Sequence, residues 1–203
     1  MIPKVAIEIV INLWPMLILS VASFLCLRVS YTLSHKKRFE VYKEVINLVF
    51  IVYILLLFSL VTTTDFSSYG NNFIPFKEMF RYSFTSKLFY RNVIGNIILF
   101  IPFGFFINYH IHSKKIWYSL LSTSFISFLI ELVQLLLGRS FDIDDIILNI
   151  LGGIIGYLIY LLVELIFKKT SEKIKNGFLL NLICMIIIIV LYVIILSLYG
   201  VIV

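Results

Sequence analysis

Apolar residues fall into six long stretches, approximately 5–27, 45–63, 92–110, 116–137, 143–167 and 178–202, separated by more polar connections. Each is close to or above the roughly 20 residues that an α-helix needs to cross the hydrocarbon core of a bilayer. Backbone N–H and C=O groups in hydrocarbon must be satisfied within the segment, which makes stretches of this length helical. The pattern predicts an all-α, polytopic integral membrane bundle with about six transmembrane helices, a single transmembrane domain over 1–203. No internal repeat stands out, so the usual sequence pointer to an inverted-repeat transporter is missing. The first stretch follows Lys4 much as a signal peptide would, but at about 23 residues it is too long for that. It is followed by His35-Lys36-Lys37-Arg38 and is expected to be a retained span, bent at Pro15 beside Asn12.

Composition sharpens the class. Of 203 residues 61% are hydrophobic and 14% charged, mean hydropathy is +1.05, and a soluble domain carries roughly 25% charged residues. So few charges cannot cover a water-exposed surface, which argues against a soluble enzyme, a disordered chain and a nucleic-acid binder despite a net charge of +6. The basic excess reads instead as orientation. Arg28, Lys36, Lys37, Arg38, Lys43, Lys114, Lys115, Lys168, Lys169, Lys173 and Lys175 fall in one set of alternate connections; Lys4, Lys77, Arg81, Lys87, Arg91 and Arg139 fall in the other. The richer set belongs in the cytoplasm, which places both termini outside, with the long loop from about 64 to 91. Cys26 and Cys184 lie in apolar runs without redox or zinc spacing and read as packing residues.

That loop contains Asn71-Asn72-Phe73-Ile74-Pro75-Phe76, then Phe80, Tyr82, Phe84, Phe89 and Tyr90 among basic residues. Such a mixture suits a belt in the headgroup region; the alternative is a lid over a lipid or amphiphilic ligand.

Polar residues inside the spans carry the remaining information, because an intramembrane polar side chain tends to face the bundle interior or a water-filled cavity. At 100° per residue, Ser124, Ser127, Glu131, Gln134 and Gly138 occupy an arc of about 80° on the fourth span. On the fifth, Asp142, Asp145, Asn149, Gly152, Gly153 and Gly156 occupy about 100°. Asp142 is also a candidate N-cap, with Asp145 favourable at the positive end of the helix dipole. Gly152 and Gly156 have the G-x-x-x-G spacing of a packing face. Asp144 points roughly opposite this arc and ranks below its neighbours. The third span carries Asn92 and Asn96 one turn apart, with Pro102 expected to kink it. In an alternating topology the three stripes converge at one level beside the Asn71–Phe76 loop, as a shared polar cavity.

The segments Asn71–Phe76, Asn92–Gly104, Glu131–Gln134 and Arg139–Gly153 together resemble the VanZ-like family, over approximately 45–167. The first and last spans show no signature. The resemblance implies a multi-pass protein of the bacterial plasma membrane and a link to resistance against teicoplanin, a glycopeptide antibiotic; it implies no reaction.

Three functions are compatible with these residues. An envelope protein would bind or shield an amphiphilic ligand, with Asn92, Asn96, Glu131, Gln134, Arg139, Asp142, Asp145 and Asn149 lining its site. Its partners would be membrane lipids and a lipid-linked cell-wall precursor or lipoglycopeptide antibiotic, with no nucleic acid and no cofactor. A membrane-embedded enzyme acting on an envelope lipid would use Glu131 or Asp145 in catalysis, with Asp142 and Asp145 as candidate metal ligands. No histidine joins that cluster, since His35, His110 and His112 lie near the other face. A proton-coupled exporter would use Glu131 as its protonated site. The first is preferred, and the chain is not expected to be an enzyme.

Overall fold

In a computed structural model the chain folds into helices, with residues 2–35, 40–63, 70–169 and 180–181 described. Helix α1 spans Ile2–Ser34 and α2 spans Val41–Thr63. A short α3, Lys87–Phe89, continues through a π-turn at Tyr90–Ile94 into α4, Gly95–Ile111. Two further helices follow, α5 over Ile116–Leu136 and α6 over Ile143–Lys169. Five helices among the described residues are long and apolar enough to cross a membrane, and no strand is present among them. The sixth expected span, 178–202, lies outside the described residues apart from 180–181.

The chain divides into two compact units, one of residues 56–166 and one of 1–55 with 167–203. In the latter, α1 is longer than its apolar stretch suggests. Arg28, assigned from sequence to a connection, lies inside α1, where its guanidinium meets both carboxylate oxygens of Glu44 on α2, Nε to Oε2 at 2.7 Å. This part-buried ion pair gives a cation within an apolar helix its counter-charge. Without Arg28 the richer set of the charge count still outnumbers the other, ten to six.

The 56–166 unit is built inside out relative to a soluble bundle. Every buried residue of α5 is polar: Ser119, Thr123, Ser127, Glu131 and Gln134. Leu121, Phe125, Phe128, Leu132 and Leu135 are exposed on its other faces. With lipid as solvent, burying leucine brings little, and helices associate through close packing and interhelical hydrogen bonds. Both are present. A Cβ on Gly104 would run into the backbone of Gly153, one on Gly152 into the Ile97 carbonyl, and one on Gly156 into the Ile101 carbonyl. The expected glycine packing face on α6 therefore meets the backbone of α4 directly. Ser119 Oγ adds a hydrogen bond to the Gly153 carbonyl at 2.9 Å. Pro102 lies within α4, which continues helical through it.

Candidate functional site

The end of α5 sets the geometry. Gly138 adopts φ +83°, where a residue without Cβ is at no disadvantage. The Arg139 N–H returns to the Gln134 carbonyl at 2.9 Å and the Gly138 N–H to the Leu135 carbonyl at 3.1 Å. This paired termination satisfies the last carbonyls of the helix and turns the chain sharply. Residues 139–142 thereby fold back over the end of α5 before α6 begins.

Into this turn the 71–76 segment is laid as a short parallel bridge, Asn72 opposite Asp142. The Asn72 N–H donates to the Phe141 carbonyl at 2.8 Å, and the Ile143 N–H to the Asn72 carbonyl at 3.1 Å. Asn71 Oδ1 accepts from the Phe141 N–H at 2.9 Å, and Asn72 Nδ2 donates to Asp142 Oδ1 at 2.9 Å. The Phe73 and Phe141 rings stack with centroids 5.4 Å apart. The two asparagines dock a loop onto the start of α6, a role that no helical periodicity announces.

The three polar stripes meet here. Asn96 Nδ2 on α4 donates to Asp145 Oδ1 on α6 at 2.6 Å, and Asn149 Nδ2 on α6 donates to Ser127 Oγ on α5 at 2.8 Å. Glu131 Oε2 on α5 accepts from the Asp142 N–H at 2.9 Å. With its amide turned so that donors meet acceptors, Gln134 donates to Glu131 Oε1 at 3.1 Å and accepts from Arg139 Nη1 at 2.9 Å. The fourth-span stripe continues from Ser127 through Thr123 and Ser119, which are buried, whereas Ser124 is only half-buried. Asn92 sits in the π-turn and donates instead to the Tyr82 hydroxyl of the loop at 3.0 Å.

Asp142 is the N-cap expected of it, its Oδ1 accepting from the Asp144 N–H at 2.9 Å. Burial pushes its carboxyl above the usual range, against the hydrogen bonds from Asn72 and the Asp144 N–H. Asp144 differs from its sequence ranking. It is 1% exposed, and its carboxylate accepts backbone N–H groups of the loop: Phe76 on Oδ1, Glu78 at 2.8 Å and Met79 at 3.0 Å on Oδ2. Its partners lie in a loop that periodicity cannot place. Phe76 has φ +68°, a conformation that costs a non-glycine residue about 1–3 kcal/mol, and its N–H is aimed at this carboxylate.

Glu131, Gln134, Asn149 and Asn72 are buried, whereas Asn92, Asn96, Arg139, Asp142 and Asp145 are half-buried. Both Glu131 oxygens are engaged by protein donors, which is the arrangement of a group that holds a turn in place. Among the described residues no three His, Cys, Asp or Glu side chains are gathered so as to hold a metal ion. The oxygens Asp142 Oδ1 and Asp145 Oδ1 are taken by asparagine amides.

Apolar helices closed around a polar hydrogen-bonded centre, with an aromatic loop docked on one end, define a multi-pass helical membrane protein. The chain belongs to the VanZ/LLP1 family, whose model matches residues 21–168. The match reaches into α1, beyond the stretch in which the sequence motifs are legible. Protein VanZ of Enterococcus faecium is 25% identical over 116 residues, 57% of this chain and 67% of that protein. No solved structure matches.

Proposed function

We propose that this chain is a VanZ-like protein of the bacterial plasma membrane, with both termini outside, that binds an amphiphilic ligand and so contributes to resistance against teicoplanin-type glycopeptides. The ligand is a lipid-linked cell-wall precursor or the lipoglycopeptide itself. One observation carries the reading: α4, α5 and α6 bring Asn96, Glu131 and Asp145 to one level, where the 71–79 loop is fastened by Asn72, Asp142 and Asp144. In this reading Asn92, Asn96, Arg139 and Asp145, which retain exposure, meet the ligand, and Glu131, Gln134 and Asn149 shape the site behind them.

The test is expression in a teicoplanin-susceptible host. The wild-type chain should raise the inhibitory concentration severalfold, and Arg139→Ala with Asp145→Asn should abolish the gain at equal membrane abundance. Mass spectrometry of copurifying lipids should show a species lost from the double variant. Equal protection by wild type and variant removes this site from the function. Orientation is read separately, with single cysteines at Ser83 and Lys115 in a background lacking Cys26 and Cys184. An impermeant thiol reagent should label position 83 in intact cells and spare 115; the reverse would turn the site to the cytoplasm.

A further inference from the structure

The loop between α2 and α4 shows two different sides. Its main chain is fixed by Asn72 and Asp144. Of its large apolar side chains Phe73 stacks on Phe141, while Ile74, Phe76, Phe80 and Phe84 are exposed, Phe80 by 71% and Phe84 by 68%. Exposed apolar residues on a spanning helix face lipid tails and need no further account, but residues 73–86 precede the candidate span, which begins at Lys87. So dense an apolar cover on a loop marks a surface that something occupies. The loop is also basic. Arg81 is paired with Glu78 at 2.9 Å, while Lys77, Lys87 and Arg91 are exposed and have no carboxylate partner among the described residues.

We propose that residues 73–91 lie in the headgroup layer of the bilayer that the chain's own helices cross, with their aromatic side chains at the acyl boundary and Lys77, Lys87 and Arg91 against anionic phospholipid headgroups. Three observations favour this occupant over a soluble partner. The segment runs directly into α4 through the Ser86 cap and the Tyr90–Ile94 π-turn, so its last residues are already at the membrane surface. Its aromatic and basic composition is that of interfacial anchors, which combine apolar insertion with attraction to anionic lipid. Finally, its polar backbone is tied to the protein at Phe76, Glu78 and Met79, which lowers the cost of leaving water. The loop is then a membrane-seated strap, and the polar site it fastens lies beside the lipid headgroups. This holds whether or not that site binds the ligand proposed above.

The experiment uses the full-length chain in vesicles, with Trp14 and Trp117 replaced by Phe and one reporter introduced, Phe80→Trp or Phe84→Trp in separate proteins. In vesicles containing equal amounts of phosphatidylglycerol and phosphatidylcholine, both reporters should emit at short wavelength. Lipids brominated near the carboxyl end of the chain should quench them at least threefold more than aqueous acrylamide does. Replacing Lys77, Lys87 and Arg91 by Gln, or omitting phosphatidylglycerol, should reduce the lipid quenching by at least half. Strong acrylamide quenching without lipid quenching overturns the proposal, because the loop then faces water. Protection from both quenchers overturns it as well, because protein then covers the loop. Lipid quenching indifferent to phosphatidylglycerol and to the three cations overturns the anionic-headgroup assignment.

Discussion

Asp144 holds Glu78 by its backbone, 66 residues away in sequence, through an N–H to Oδ2 hydrogen bond of 2.8 Å, and the same carboxylate takes the N–H groups of Phe76 and Met79. A carboxylate accepting three backbone donors is a strong fastening, since each charge-assisted bond contributes about 1.5–3 kcal/mol. Asp144→Ala should therefore release the loop, with a stability loss of about 3 kcal/mol or more, and Asp144→Asn should cost less because one oxygen acceptor remains. Hydrogen exchange measures this locally: the amides of Phe76, Glu78 and Met79 should exchange at least tenfold faster in the alanine variant, with α5 unchanged. Unchanged exchange at all three would show that the carboxylate is not what holds them.

Glu131 and Glu164 both interrupt apolar runs, and their surroundings predict unequal effects. Glu164 is partly exposed and paired with Lys114 at 3.0 Å, a contact worth about 0–1 kcal/mol near a surface. Glu131 is 1% exposed and accepts the Asp142 N–H. Glu131→Ala leaves that part-buried donor without its acceptor, at a cost of about 1–3 kcal/mol, whereas Glu131→Gln keeps an acceptor and should retain most of the stability. Thermal unfolding in detergent should rank Glu131→Ala lowest, with Glu131→Gln and Glu164→Ala near wild type. Equal losses from the two alanine variants would contradict it.

The sequence made this inequality partly visible. Helical phase alone groups Ser127, Glu131 and Gln134 on α5 and Asp145, Asn149 and the glycines on α6, and the structure joins these stripes by hydrogen bonds at one level. The loop's partners were not legible. Asn71, Asn72 and the N–H groups of Phe76, Glu78 and Met79 lie in a segment without periodicity, and their partners are some 70 residues further on. Pattern gives the direction of a side chain on its own helix, but it does not say which non-helical segment lies in that direction. Asp144 ranks low by phase for this reason, and Thr123 and Ser119 extend the buried face of α5 beyond the stripe that Ser127, Glu131 and Gln134 mark.

The glycine contacts predict a contrast within α4. Gly104 touches the Gly153 backbone, whereas a Cβ on Gly95 would meet its nearest atom, the Tyr90 carbonyl oxygen, at 3.6 Å. Gly104→Ala must push α4 and α6 apart, a cost of about 1–3 kcal/mol for overpacking. Gly95→Ala should be neutral or stabilise by up to about 1 kcal/mol through helix propensity. Melting of the two variants in the same detergent decides it, and a Gly104→Ala protein as stable as wild type would mean that the helices are not in contact at that point.

The last prediction concerns pH. Burial raises the Asp142 carboxyl above its ordinary value of 3.8, and the neighbouring carboxylates of Asp144 and Glu78 push the same way, while Asn72 and the Asp144 N–H oppose them. The folded protein therefore holds this proton to higher pH than the unfolded chain does. Stability attributable to Asp142 is then greatest below the unfolded value, falls as pH rises towards the raised native value, and is flat above it. Asn caps a helix about as well as Asp and cannot ionise. Asp142→Asn should therefore match wild type at low pH, exceed it at neutral pH, and show a shallower decline between. Asp142→Ala, which lacks the cap and cannot ionise either, should lie about 1 kcal/mol below the Asn variant at every pH. Melting temperatures of the three proteins from pH 4 to 8 test this through the difference between wild type and Asn variant, in which the other carboxylates largely cancel. A constant difference across that range would show that Asp142 does not titrate differently in the folded and unfolded states.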